Sequence, residues 1–335
     1  MPRRAFDIGF ELTNLCNLHC THCIRGSHQS VIDRLELALI RDILDQAQEL
    51  FDPLEVVFTG GEPLAADLFA PVVAELAGRH ISYRFVTNGW LVPRHLPLFI
   101  EFPPRFARVS LSGGNAATHD AMRGKGSFRH ALLGAAVLMS RHIRVDFSMV
   151  VTCESRDELL ECLMLSERMG VAELHFILPQ PTPESAANKS DLSPAEWKQI
   201  ASQVYDLSRT SSVTVKLDYG SHMPLPMRLK CATLETRQLY VDARARAIFC
   251  CQLARYGTGE EPVIGDLRTE SLASVIARAE SSYGEFSAET SRRHLAGQWD
   301  DLDDFPCMSC ARRHARTGFL ASYPEHPWAA LAEPT

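Results

Sequence analysis

The sequence predicts an α/β fold built on a parallel sheet, and two features of the chain carry that prediction. Short apolar segments with a two-residue period alternate with longer segments whose apolar residues recur at helical spacing. Polar, glycine-bearing groups then follow the apolar segments, where the C-terminal ends of parallel strands gather ligands.

The first strand is Phe6, Ile8, Phe10 and Leu12, alternating with Asp7, Gly9, Glu11 and Thr13. Asp33 and Glu36 are read as a capping pair before a helix carrying Leu39, Ile40, Ile43, Leu44 and Ala47 on one face. Further strands are expected at 54–58, 81–87, 106–111, 143–151 and 172–178. Helices are expected between them at 67–77, 93–100, 128–141 and 155–169. The last of these opens on Ser155-x-x-Glu158, a second expected capping box. Ser193-Pro194-Ala195-Glu196 starts another helix, with proline at its first position. From about residue 213 the alternation weakens into short strand signals, grouped cysteines and a Pro/His-rich tail. A boundary near 215 divides the chain into domains of 1–215 and 216–335.

The 335 residues suffice for a substantial core, and 46% hydrophobic with 22% charged residues is ordinary for a globular protein. A net charge of −7 supplies no electrostatic reason to bind nucleic acid or an anionic membrane. No run approaches the roughly 20 apolar residues of a membrane span, and no signal-peptide segment opens the chain. A cytoplasmic location is expected.

In a reducing compartment grouped cysteines read as metal or catalytic sites, and most of the ten cysteines are grouped. Cys153 and Cys162 stand alone and read as small buried residues. Cys16, Cys20 and Cys23 form a C-x3-C-x2-C run. A structural zinc needs a fourth ligand, for which His19 or His22 would serve; a cubane cluster on three cysteines leaves one iron open. Spacing alone leaves both readings standing.

Cys-Asn-Leu-His-Cys-Thr-His-Cys follows the first strand, and Gly60-Gly61-Glu62-Pro63 follows the second. Thr87-Asn88-Gly89 and Ser110-Leu111-Ser112-Gly113 stand at the next two strand ends. These ordered motifs resemble those of the radical S-adenosylmethionine (SAM) superfamily. His119-Asp120-x-x-Arg123-Gly124, then Gly126-Ser127-Phe128, is similar to a segment of the peptide- and sugar-modifying branch. His22 occupies a position that is often aromatic, and Ser112 one where aspartate is commoner. The resemblance implies a partial (β/α)6 barrel with a small C-terminal α+β twitch/SPASM-like domain. It implies a [4Fe–4S] cluster on Cys16, Cys20 and Cys23, with its open iron chelated by S-adenosylmethionine. Gly60, Gly61 and Glu62 would position the methionine amino group; Asn88, Ser110 and Arg123 would hold the carboxylate or ribose. Reductive cleavage, fed by a flavodoxin- or ferredoxin-type donor, would yield a 5′-deoxyadenosyl radical that abstracts hydrogen from substrate.

Leu239-Tyr240-Val241-Asp242 followed by Cys250 is similar to the hairpin of the SPASM or twitch auxiliary-cluster domain, with Ala245 at the usual turn glycine. Ile264-Gly265-Asp266-Leu267 also matches the segment after that hairpin. Cys231, Cys250, Cys307 and Cys310 are then the implied ligands of one auxiliary [4Fe–4S] cluster, with Cys251 as an alternative to Cys250. Zinc on the same four thiolates is the competing reading, and would make the chain a non-catalytic zinc protein. A saturated cluster would move an electron, for a net oxidation or dehydrogenation of the substrate. Only about five residues precede the first strand, so no fused leader-binding segment is expected and a small molecule such as an aminocyclitol or sugar is favoured. The alternative is crosslinking, epimerisation or maturation of a ribosomally made peptide. Arg25, His28, Met149, His175 and Gln180 are candidate substrate contacts that could equally be core or surface residues.

Overall fold

The period-2 pattern of the first segment becomes strand β1 (Arg4–Glu11) in the computed structural model, which describes residues 4–25, 32–218, 237–253, 263–298 and 304–332. Phe6, Ile8 and Phe10 share one buried face and pack with Ile40, Ile43, Leu44 and Ala47 of helix α1 (Leu37–Leu50). The βα alternation continues through β2 (Phe51–Thr59), α2 (Phe69–Gly78), β3 (Ser82–Thr87), α3 (Leu96–Glu101) and β4 (Phe106–Leu111). It runs on through α4 (Ala116–Arg123), α5 (Ser127–Met139), β5 (Val145–Val150), α6 (Leu159–Met169) and β6 (Glu173–Ile177). Helices α7 (Pro183–Asn188) and α8 (Pro194–Thr210) lead to a seventh parallel strand, β7 (Thr214–Leu217), beside β6. Every neighbouring pair from β1 to β7 is parallel, so the strand ends expected to converge do share one rim.

The C-terminal part extends the same sheet. β8 (Gln238–Val241) lies parallel to β1, and β9 (Arg246–Ile248) and β10 (Val263–Asp266) follow antiparallel. The order among the described residues is β10-β9-β8-β1-β2-β3-β4-β5-β6-β7, an open barrel with a C-terminal addition at its first edge. Ala245, in the hairpin turn, adopts φ +63°, so the left-handed conformation is kept without glycine. Helices α9 (Leu272–Leu295) and α10 (Pro306–Arg313) complete this region. Among the described residues no helix is long and apolar enough to cross a membrane.

Two expected capping pairs are corrected. Glu36 takes the N-cap position of α1 without a side-chain cap, and Asp33 instead binds back to Asn14, whose Oδ1 accepts its N–H at 3.0 Å. The Ser155 hydroxyl accepts from the Thr152 N–H at 3.1 Å, while Glu158 accepts from the Gly114 N–H at 2.8 Å and from Thr118. Both acids are drawn away from their helices by donors in neighbouring loops, a competition that local spacing does not reveal. The third start is as expected: Ser193 and Glu196 form a reciprocal capping box at α8. Prolines split the helix expected at 93–100 into a 3-10 turn, Val92–His95, and the short α3.

The inner face of the strands is polar at its lower end. Arg84 on β3 bridges Asp7 on β1 at 2.7 Å and Glu55 on β2, which also takes Arg105 at 2.8 Å. Toward β6, Asp146, Glu173 and His175 meet, and Arg144, Lys216 and Arg108 bind them at 2.8 to 3.1 Å. Against the desolvation of its burial, hydrogen bonds from Lys216, His175 and Arg144 hold Glu173 down to about 2. This trio of possible metal ligands is thus already served by three cationic side chains, and reads as an ion-pair network that props the barrel open.

Candidate functional site

The loop after β1 carries Cys16, Cys20 and Cys23, and three neighbouring strand ends hold it. The Gly61 and Glu62 N–H groups donate to the carbonyls of Thr13 (3.2 Å) and Leu15 (2.8 Å). A Cβ on Gly61 would fall 2.0 Å from the Leu15 carbonyl oxygen, and Gly60 has φ +127°. The two glycines are therefore required by the close approach of one backbone to another. On the other side, the Thr21 N–H donates to the Met122 carbonyl of α4 at 3.0 Å.

Glu62 is buried, and its carboxylate accepts from Thr87 Oγ1 at 2.8 Å and from the Asn88 N–H at 2.9 Å. Burial pushes its carboxyl up to about 7, while those hydrogen bonds and Arg123 pull it down. Asn88 donates from Nδ2 to Asn17 Oδ1 at 2.9 Å and lies 4.0 Å from Cys16 Sγ, which also takes the Leu18 N–H at 3.5 Å. Arg123 donates to Ser112 Oγ at 2.6 Å and to the Leu111 carbonyl at 3.3 Å. Asp120 accepts from the N–H groups of Gly126 (2.6 Å) and Phe128 (2.8 Å), which caps α5 and aligns the segment that presents Arg123.

These groups open onto one cleft of about 260 Å3. The three cysteines line it together with Gly60, Gly61, Glu62, Asn88, Ser110 and Arg123, every residue of the first expected site. The cysteines are free of disulfides. Burial, chiefly, pushes the Cys16 thiol up to about 12, so a thiolate here calls for a metal partner. Among the described residues the trio of metal-capable groups gathered within 4.8 Å is Asp146, Glu173 and His175. Hydrogen bonds from Leu18 and Asn88 aimed at Cys16 Sγ are also of the kind that tune cluster thiolates.

Of the second expected site, Cys231 lies outside the described residues. Cys307 and Cys310 stand three apart on α10, on neighbouring positions of one helix face. Cys250 and Cys310 pack against the main core, whereas Cys251 packs on Tyr240 and Ile248. A hydrogen bond with Cys250 brings the Cys251 thiol down against its burial, and Arg25 acts in the same direction. Gln252, the next residue, lines the first cleft. The Cys250–Cys251 pair therefore lies next to a residue of the cleft wall.

The candidate substrate contacts separate. Met149 is fully buried in the core, His175 belongs to the lower ion-pair network and His28 lies outside the described residues. Arg25 is held between Glu11 and Tyr240. Of the four that are described, Gln180 alone lines the cleft.

Sequence comparison covers the same elements: residues 10–165 match the family model of the radical SAM superfamily. This stretch of the chain is thus similar to a radical SAM domain. The AdoMet-dependent heme synthase of Nitratidesulfovibrio vulgaris is 27% identical over 226 residues, covering 66% of this chain and 61% of its own. The mycofactocin maturase MftC of Mycolicibacterium smegmatis is 31% identical over 199 residues, 59% of this chain and 50% of its own. The chain thus spans 61% or less of the length of these two curated relatives. Streptococcus suis SuiB, in its complex with the precursor peptide SuiA, shares the fold with a TM-score of 0.65 at 11% identity, over 82% of this chain and 64% of that one.

Proposed function

We propose that the protein is a radical SAM enzyme that removes a hydrogen atom from an organic substrate and completes a net oxidation through a second cluster. The observation that carries this reading is the convergence of three cysteines, Glu62, Asn88, Ser110 and Arg123 on one cleft, with Gln252 bringing the second cysteine group to its wall. Cys16, Cys20 and Cys23 would ligate the first [4Fe–4S] cluster, and Cys231, Cys250, Cys307 and Cys310 an auxiliary one. Bound there, the cluster and S-adenosylmethionine would supply reductive carbon–sulfur cleavage and a carbon radical able to take hydrogen.

The chain's own residues would orient and shield. Glu62, already fixed by Thr87 and the Asn88 N–H, would meet the methionine ammonium, whose charge would bring the carboxyl below about 7. Gly60 and Gly61 would let the cofactor's amino acid approach the backbone. Arg123, held by Ser112, would face its carboxylate, with Asn88 and Ser110 at the ribose. Four thiolates leave the second site no open position, so this half would serve electron transfer. A flavodoxin- or ferredoxin-type protein would reduce the first cluster in the cytoplasm. The chain as read comprises a SAM domain, residues 1–215, and a twitch/SPASM-like unit, 216–335. One relative is named a heme synthase, and SuiB, which shares the fold, is solved with a precursor peptide, so a small molecule and a peptide both stand as substrate classes.

Anaerobic iron and sulfide analysis tests the reading. Wild-type protein should be brown with about eight irons per chain; alanine at Cys16, Cys20 and Cys23, or at Cys307 and Cys310, should each remove about four. A colourless protein containing zinc refutes it.

A further inference from the structure

We propose that Gln180 and Gln252 form a substrate subsite in the cleft that takes the main-chain amide of an extended peptide beside an apolar side chain. This rests on the cofactor reading above and names the substrate class of the same site.

Gln180 is 7% exposed, and its Oε1 is buried with no hydrogen-bond partner among the described residues. A buried carbonyl left unpaired is costly, and native interiors avoid it unless a ligand completes the site. The loop that carries it is fixed. Pro179 and Pro181 flank Gln180, holding the backbone extended. Thr182 and Ser185 form a capping box at α7, Ser185 donates to Asp191 at 2.6 Å, and His326 meets Asp191 at 2.9 Å. The unpaired amide is thus presented by a preorganised loop.

The surroundings select the ligand. Val150, Ile177, Leu178 and Pro179 line the cleft from the ends of β5 and β6 and the loop that follows, an apolar stretch in which Gln180 is the polar residue, and Gln252 lines the same cleft. The charged lining residues, Glu62 and Arg123, lie at the cysteine end with the cofactor contacts. Arg25, the nearest cation on the cysteine loop, is consumed by Glu11 and Tyr240. Among the described residues of this stretch, a ligand rich in carboxylates or phosphates would therefore find no cationic partner. A primary amide presents a donor and an acceptor side by side, which complements the N–H and C=O of one extended residue. The cleft's volume of about 260 Å3 falls below the roughly 300–1,000 Å3 of pockets that enclose whole ligands.

The test uses the full chain, reconstituted anaerobically, loaded with S-adenosylmethionine and immobilised. The probe is a pool of N-acetylated, C-amidated hexapeptides with Leu, Ile, Val, Phe, Met, Asp or Lys at the third position, read by mass spectrometry. Apolar-centred peptides should be retained over the Asp and Lys members. Gln180→Met and Gln252→Met should each weaken the best of them by about tenfold. Replacing the central peptide bond by an ester should weaken binding to wild type by a similar factor but add little in Gln180→Met, a readout that needs no altered protein fold. No enrichment of apolar centres, or no effect of either substitution, overturns the subsite. So does a tetracarboxylate porphyrin that binds in the peptides' place with the same Gln180 dependence. Iron content and 5′-deoxyadenosine release without peptide report on the cofactor reading separately. A brown, cofactor-cleaving protein that retains no peptide overturns the subsite alone, and a colourless one overturns both.

Discussion

Replacing Glu11 by glutamine should destabilise the protein by about 3–5 kcal/mol, because it strands a buried positive charge. Glu11 is 1% exposed at the end of β1, and its Oε1 lies 2.5 Å from the Arg25 guanidinium, two residues beyond Cys23. Tyr240 on β8, also 1% exposed, donates to Glu11 Oε2 at 3.3 Å, and Arg25 lies 5.6 Å from its ring centroid. Burial opposes the Arg25 charge, and Glu11 and Tyr240 outweigh it, so the guanidinium stays protonated. Glutamine preserves shape and an acceptor for Tyr240 but removes the countercharge. Glu11→Gln combined with Arg25→Met removes both charges, and should recover at least about 2 kcal/mol of the loss. Urea denaturation of the two single variants, the double and wild type, in reducing anaerobic buffer, measures the cycle. A Glu11→Gln cost below about 1 kcal/mol, or strict additivity, would refute the argument that this pair welds the cysteine loop to the C-terminal strands.

Two further substitutions probe the frame of the cleft. Gly61→Ala places a Cβ 2.0 Å from a backbone oxygen, so it should cost about 2 kcal/mol or more and reduce bound iron by about half. Gly78→Ala, with nothing within 4 Å of the added atom, should leave iron content unchanged; equal iron in both variants contradicts the backbone-contact role. His119 is 1% exposed and accepts the Ser112 N–H at 3.2 Å; burial, then Arg123, lowers its imidazole from 6.5 to about 3. The unfolded chain therefore takes up this proton as pH falls through 6.5 while the folded chain waits until about 3. Stability present above pH 6.5 is lost across that window by about 1.4 kcal/mol per pH unit. His119→Asn keeps an acceptor for Ser112 without the titration. Its stability relative to wild type should improve by about 2 kcal/mol from pH 7 to pH 5, and parallel urea midpoints would refute the assignment.

The strands of the barrel were legible because a half-polar inner face imposes alternation on every one of them, as Asp7, Gly9 and Glu11 do between Phe6, Ile8 and Phe10. The glycines of the first cleft were legible because close backbone contact demands them, and its cysteines because their spacing sets them apart as a group. Helix α9 was missed although Leu272, Val275, Ile276, Ala279 and Tyr283 recur at helical spacing; all are buried. Its apolar stripe is narrow among serines, arginines and glutamates, and the nearby cysteines drew the reading toward strands and loops. Helix α4 was hidden by the motif it carries, His119 through Arg123. The Glu11–Arg25–Tyr240 cluster joins residues 215 to 229 positions apart, a pairing that no local pattern encodes. Nor could the sequence separate Gln180 from His175 or Met149, since their roles follow from which strand face each occupies.

The two departures from the motif pattern, His22 and Ser112, explain one another. They stand 90 positions apart, yet Ser112 Oγ and His22 Nε2 meet at 3.3 Å. Arg123 donates to the same hydroxyl at 2.6 Å, so the hydroxyl proton is directed to His22, and the imidazole accepts through Nε2. Burial, then Arg123 and His119, lower the His22 imidazole well below its ordinary value, which keeps it a neutral acceptor. An aspartate at 112 would neutralise Arg123 through an ion pair and need no partner at 22. A serine leaves the guanidinium charge undiminished for an anionic ligand in the cleft, but its buried hydroxyl needs an acceptor that a phenyl ring cannot supply. The histidine between Cys20 and Cys23 is that acceptor. It couples the loop that carries the cysteines to Arg123, so the substitution at one strand end is answered within the cysteine run itself.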